Sequence, residues 1–387
     1  MRYLLVLFSS LVHYAYMPPP DTRIKNELPG NKHLLYDFDG PYVFYNKTSI
    51  IVKSMKEEDG NINLQEENFP LAEKEKIVLT VHTDKRNKTF SVPLKKELNI
   101  EPSEYAKPSK LLILSDIEGN FYAFRKLLQA NHVIDSNYNW TFGDGHLVLA
   151  GDIFDRGNQV TQCLWLIYNL EERSAAEGGY VHYILGNHEL MNMRGDFRYV
   201  QPEYISDTRK ILNERYSSLF TSKTELGRWL RTKNTMEKIG DLMIVHGGFH
   251  EDVNNLTISL TEMNTVIRKQ YGTMDKYQAE DYSSPRKTLY YGKTAPFWYR
   301  GYYKTSDRTA IQKQVEKTLQ KFDVAHIITG HTVVADTISI WYNGKVIDVD
   351  TFHVNGKSEA LFVEGKNYFR VNSKGEKKLL FEDAEGF

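Results

Sequence analysis

The sequence predicts an α/β fold. Continuous apolar runs of strand length recur at residues 110–115, 146–150 and 180–185, with two more at 242–245 and 326–329. Between them lie apolar residues at helical spacing, such as Phe121, Phe124, Leu127 and Leu128. Strands that alternate with helices are the pattern of an α/β core. Each strand run also stops in a polar, glycine-bearing turn, and open α/β sheets collect their ligands outside the carboxyl ends of strands.

The elements follow in order. Arg2, then Leu4, Leu5, Val6, Leu7 and Phe8 on to Val12, resembles the charged and apolar regions of a signal peptide, without a small-residue cleavage site. Residues 1–20 are therefore read as a leader or as a buried N-terminal element. A working leader implies an exported or periplasmic protein; otherwise the expectation is cytoplasmic. After Pro18, Pro19 and Pro20, short β-rich runs at 42–45, 49–53, 76–81 and 89–92 suggest a small β module over residues 21–107, with a packing or docking role. Residues 101–108 read as a linker. The main domain spans 108–387 and closes in an antiparallel set of strands at 338–341, 345–349, 360–363 and 368–371, with turn signals at Asn343-Gly344 and Lys374-Gly375.

Composition excludes several classes. Lys and Arg number 49 against 50 Asp and Glu, so no basic excess marks a nucleic-acid-binding surface. No segment is long and apolar enough to span a bilayer. The one cysteine, Cys163, lies in an apolar helical pattern, and the position six residues later is Asn169. A thiol phosphatase needs an arginine there, so Cys163 is assigned to the core.

Five turns carry the unusual polar residues: Ser115-Asp116-Ile117-Glu118-Gly119-Asn120, Gly151 to Gly157, Gly186-Asn187-His188-Glu189, His246-Gly247-Gly248 and Gly330-His331-Thr332. Carboxylate, amide and imidazole donors suit hard or borderline divalent cations, and a shared carboxylate can bridge two ions ~3.5–4 Å apart. Taken singly, Asp116 and Asp152 are ordinary helix caps, His246 and His331 ordinary core histidines, Asn187 a turn residue, and Asp155-Arg156 a salt bridge. Five such clusters at five strand ends favour one site.

In this order the motifs resemble the phosphoprotein phosphatase branch of the calcineurin-like metallophosphoesterases, over residues ~110 to ~335. Gly195-Asp196-Phe197-Arg198-Tyr199 and Phe297-Trp298-Tyr299-Arg300-Gly301 are similar to the Shewanella-like phosphatases. The resemblance implies an α/β/β/α sandwich of two mixed sheets flanked by helices. It implies two divalent metal ions, Mn²⁺ first, with Fe, Zn or Mg compatible. Asp116 would hold the first metal and Asp152 bridge both, with Asn187, His246 and His331 on the second. Hydroxide held between the ions would attack a phosphate ester in line, on a phosphorylated protein or small aryl substrate. His188 would protonate the leaving oxygen with Asp155 orienting it, and Arg156 and Arg300 would bind phosphate. One position departs from the family pattern, because Glu118 stands where a histidine is usual. It is expected as an oxygen ligand of the first metal, with a turned-away carboxylate as the alternative. Two other functions stay open: hydrolysis of nucleotides or dinucleoside polyphosphates, with Tyr282, Tyr290, Tyr291 and Trp298 as a base-stacking wall, and a phosphate-binding protein without turnover.

Overall fold

The structure is a computed structural model that describes residues 38–58, 61–85, 87–272, 285–353 and 358–383. The leader and Tyr282 lie outside the described residues. Along the chain run β1 (Phe38–Tyr45), β2 (Ser49–Glu58), β3 (Asn61–Pro70), β4 (Val78–His82), β5 (Thr89–Pro93), β6 (Glu104–Tyr105), β7 (Lys110–Leu114), α1 (Phe121–Ala130), β8 (His146–Leu149), α2 (Val160–Ala176) and β9 (Tyr180–Tyr183). Then come α3 (Asn187–Arg194), α4 (Pro202–Lys210), α5 (Glu225–Leu230), β10 (Met236–Ile239), β11 (Leu242–Val245), α6 (Glu251–Asn254), α7 (Leu260–Arg268), α8 (Pro285–Tyr290) and α9 (Arg308–Phe322). The chain finishes with β12 (His326–Thr329), β13 (Ser339–Trp341), β14 (Val346–Asp348), β15 (Glu359–Glu364), β16 (Asn367–Asn372) and β17 (Lys377–Glu382).

Two six-stranded mixed sheets form the centre, in the orders β17-β16-β15-β7-β8-β9 and β13-β14-β12-β11-β10-β6. Side chains alternate along each strand and explain the continuous apolar runs. Leu111 and Ile113 of β7 join Val148, Ile244, Ile328 and Ile347 in one buried cluster between the sheets. Leu112 and Leu114 instead join Phe121, Phe124 and Leu127 of α1 in a second cluster. Strands covered on both faces carry no polar alternation.

Helix α2 is apolar on nearly every side because it is covered twice. One face packs on β9, and β1, β4 and β5 cover another. Trp165 Nε1 donates to the Pro41 carbonyl at 2.8 Å, and Lys95 N donates to the Tyr168 hydroxyl at 2.7 Å. A helix that is hydrophobic all round must be buried all round. Cys163 is buried there.

The C-terminal strands differ from the single antiparallel set expected. β15–β17 form an antiparallel meander on β7, whereas β13 and β14 extend the other sheet, where β14 runs parallel to β12. Each sheet has a free edge to extend, and the strands divide between one edge of each. Among the described residues no helix is long and apolar enough to cross a membrane.

A polar chain of half-buried His146 and buried His182 and Glu237 ties β8 and β9 of one sheet to β10 of the other. His146 Nδ1 lies 2.9 Å from His182 Nε2, and His182 Nδ1 lies 2.7 Å from Glu237 Oε2. Burial pushes the Glu237 carboxyl from 4.5 up to about 8, and burial takes His182 from 6.5 down to about 3. Glu237 therefore keeps a proton that the unfolded chain releases, and its contribution fades as pH rises from 4.5 through about 8. His182 acts in the other direction, losing its contribution as pH falls below 6.5. Of this pair, only Glu237 loses its contribution between pH 6.5 and 8, with a slope of at most about 1.4 kcal/mol per pH unit, and His246, raised to about 9, adds a loss of the same sign that Glu237→Gln leaves in place. Thermal melts are expected to show wild-type stability falling over this window and a flatter profile for Glu237→Gln; parallel profiles would contradict the assignment.

Candidate metal centre

The five turns converge as the strand ends require. Asp116 follows β7, Asp152 follows β8, Asn187 opens α3 after β9, His246 follows β11, and His331 follows β12. Asp116, Glu118, Asp152, Asp155, Arg156 and His331 all have φ between 50° and 71°. Left-handed backbone costs a non-glycine residue roughly 1–2 kcal/mol, and such strain concentrates at functional sites. Close approach is the second device. A Cβ at Gly186 would overlap the Asp152 carboxylate, and one at Gly330 would overlap the Ser115 hydroxyl and the Asp116 carboxylate.

Asp152, His246 and His331, all buried, bring one ligand atom each within 4.8 Å of one another. Asp152 Oδ2 lies 3.0 Å from His246 Nε2 and 3.7 Å from His188 Nε2, and its Oδ1 accepts from His188 N at 2.9 Å. Asn187 Oδ1 is 3.0 Å from His246 Nε2. His246 Nδ1 donates to the Ala150 carbonyl at 2.8 Å, which turns Nε2 toward Asp152 and Asn187. His331 Nε2 donates to the Trp298 carbonyl at 3.2 Å, which leaves Nδ1 as its ligand atom. An imidazole fixed by a backbone carbonyl on one nitrogen is the usual wiring of a metal ligand.

Charge is arranged to match. Burial raises the Asp152 carboxyl, but His246 and His188 outweigh it and hold it at about 2. Burial disfavours His246 cation, yet Asp152 carries its imidazole up to about 9. Burial and the nearby Arg300 push His331 well down. The donor set of carboxylate, amide and two oriented imidazoles fits a divalent cation, which would displace the His246 proton on binding.

His188 Nδ1 meets Asp155 Oδ2 at 2.6 Å, and Asp155 Oδ1 accepts from Asn192 Nδ2 at 2.7 Å. Burial opposes the imidazolium, but Asp152 and Asp155 raise the His188 pKa. Asp116 Oδ2 accepts from His331 N at 3.0 Å and from the Ser115 hydroxyl. Arg300 binds the Gly-His-Thr turn through the His331 carbonyl and Thr332 Oγ1, the latter at 3.1 Å. Glu118, expected on the first metal, is placed with its carboxylate against the Arg156 guanidinium. Neither Asp116 nor Glu118 belongs to the three-residue cluster.

Sequence reasoning assigned no role to several residues of the site. Tyr199 stands 5.1 Å from the His188 ring and 5.4 Å from the Arg156 guanidinium. Asn192 lies one helical turn beyond His188 on α3, an i+4 position that could have flagged it. Of the expected aromatic wall, Tyr290 is buried against Tyr291 and Phe297, Trp298 packs edge-on to His331, and Tyr282 lies outside the described residues. Glu189, expected as a hydrogen-bond partner, has a larger role. Its carboxylate accepts from the backbone N of Asp152, Ile153, Phe154 and Gly186 and from the Tyr183 hydroxyl, at 2.7–3.3 Å. Glu189→Ala orphans these buried donors at about 1–3 kcal/mol each. A fall in melting temperature of about 10 °C with loss of metal affinity is the expected result, corresponding to roughly 8 kcal/mol for a chain of this length; a wild-type melt would contradict this role.

Comparison with known proteins agrees with the geometry. The family model described as calcineurin-like phosphoesterase matches residues 109–335. The chain is similar to the Shewanella-like protein phosphatase 2 of Arabidopsis thaliana, 23% identical over 67% of this chain and 75% of that protein. It is also similar to the Shewanella-like protein phosphatase 1 of Plasmodium berghei, 27% identical over 58% of this chain and 61% of that one. Among solved structures, the cold-active protein-tyrosine phosphatase of a psychrophilic Shewanella superposes with a TM-score of 0.77 and 32% identity, over 89% of this chain and 99% of that one.

Proposed function

As the chain belongs to the calcineurin-like phosphoesterase family, we propose that it is a two-metal phosphomonoesterase acting on phosphoprotein or small aryl phosphates. The observation that carries this reading is the position of Asp152, which touches the ligand histidine His246 and lies beside the His188–Asp155 pair. One carboxylate thus joins a metal cluster to a proton donor.

Asp116 and Asp152 would hold a first divalent ion, and Asp152, Asn187, His246 and His331 a second. Mn²⁺ is the first candidate, with Fe, Zn or Mg compatible with the donors. When bound, such ions lower the pKa of water and neutralise phosphoryl charge. The residues do the rest. His188 gives its proton to the leaving oxygen, and Asp155 fixes the ring and stabilises the charged form. Arg156, stacked by Tyr199, and Arg300 bind the phosphoryl oxygens. Glu118 meets Arg156 through one carboxylate oxygen, and joining the first metal would take its other oxygen.

Tyr199 beside His188 and Trp298 beside His331 favour an aryl ester, and a solved relative of 32% identity is named a protein-tyrosine phosphatase. Turnover of phosphotyrosyl peptide, phosphoseryl peptide, p-nitrophenyl phosphate and a diadenosine polyphosphate should be compared. Faster turnover of the two aryl esters is expected. A preference for the dinucleotide would replace this reading with nucleotide hydrolysis, and phosphate binding without turnover of any substrate would replace it with a binding protein.

A further inference from the structure

At the first metal position the family pattern calls for an imidazole two residues beyond Asp116, and this chain has Glu118 there, held by Arg156. A different imidazole approaches the same loop. His353, on the segment after β14, is 4% exposed. Its Nε2 lies 2.7 Å from the Ser115 carbonyl, so this nitrogen carries the proton and donates. Nδ1 is left with its lone pair, buried and without a hydrogen-bond partner among the described residues. Buried polar atoms are almost always paired, so an unpaired one calls for a partner such as a bound ion or a water. The wiring repeats that of His246 and His331, each of which gives one ring N–H to a backbone carbonyl. The His353 carbonyl also accepts from Asn120 Nδ2 at 2.6 Å, so this residue grips both ends of the loop that carries Asp116 and Glu118. Asp116 acts electrostatically on the imidazole, and among the described residues His353, Asp116 and Asp152 do not bring their ligand atoms within 4.8 Å of one another.

We propose that His353 binds the first metal ion through Nδ1, supplying the imidazole that position 118 lacks. The chain then keeps a nitrogen donor at the first metal, which suits borderline ions such as Fe²⁺ and Zn²⁺ better than an all-oxygen set. It also leaves Glu118 to Arg156. The inference rests on the two-metal reading, and the experiment separates the two.

Full-length protein equilibrated with Mn²⁺ is expected to hold two ions by elemental analysis. Fewer than two in wild type would overturn the two-metal reading and this inference with it. With wild type at two, His353→Ala is expected to bind the second ion normally and the first at least about 100-fold more weakly, beyond the usual effect of losing an outer-shell partner. Two ions held with unchanged affinity in a variant of normal melting temperature would overturn the inference alone. Wild-type protein labelled with ¹⁵N-histidine covers the case of a variant that does not fold. Pulsed electron resonance on bound Mn²⁺ is expected to show three coupled imidazoles; two, from His246 and His331, would overturn the proposal.

Discussion

Asp152→Asn is expected to lower kcat for p-nitrophenyl phosphate by about 10²–10³-fold, the scale of losing one essential electrostatic element of an active site. The substitution is nearly isosteric. An asparagine oxygen can still accept the His188 backbone N–H, now at 2.9 Å from Oδ1, so the α3 terminus should stay in place. What disappears is the charge. The Asp152 carboxylate is the group that raises His246 to about 9 and the one that would be shared between two cations. Metal content should fall together with activity while the far-ultraviolet spectrum stays unchanged. A variant with normal turnover and two bound ions would remove Asp152 from the centre of the account.

His188→Ala is expected to behave differently. Loss of a general acid typically costs 10²–10⁴-fold, and the loss should depend on the leaving group. p-Nitrophenolate departs readily without a proton and should suffer least, whereas a phosphoseryl peptide should suffer most. Metal content should change little, because His188 holds Asp152 through its backbone N–H at 2.9 Å, which the variant keeps, while its ring approaches the carboxylate only at 3.7 Å. Asp155→Asn should lie between wild type and His188→Ala, since Asn192 still orients position 155 while the charge that favours the imidazolium is gone. Equal losses for good and poor leaving groups would rule out His188 as the proton donor.

The contrast between these variants reflects what was legible in the sequence. A strand-end turn that combines glycine with Asp, Asn or His is a local pattern, and each of the five turns stands at the end of a strand in the structure. The α/β grammar was legible for the same reason, because strands buried on both faces need unbroken apolar runs. Relations between distant segments were not. Nothing in Glu189 itself announces that its carboxylate collects four backbone N–H groups from two loops. His353 lies 237 residues beyond Asp116, and only the fold, which brings the segment after β14 beside the turn that follows β7, sets its ring against the Ser115 carbonyl. The division of the C-terminal strands between two sheets escaped notice because alternating residues specify a strand but not its partner. Glu118 was legible as a departure, yet its pairing with Arg156 depends on the left-handed backbone of both residues.

The most direct test is hydrolysis of p-nitrophenyl phosphate by protein stripped of metal and resupplied separately with Mn²⁺, Mg²⁺, Fe²⁺ and Zn²⁺, with Asp152→Asn alongside. The account predicts no activity in the stripped protein, recovery with at least one ion and greatest with Mn²⁺, and no recovery in the variant. Full activity without metal, or equal recovery in Asp152→Asn, would contradict it.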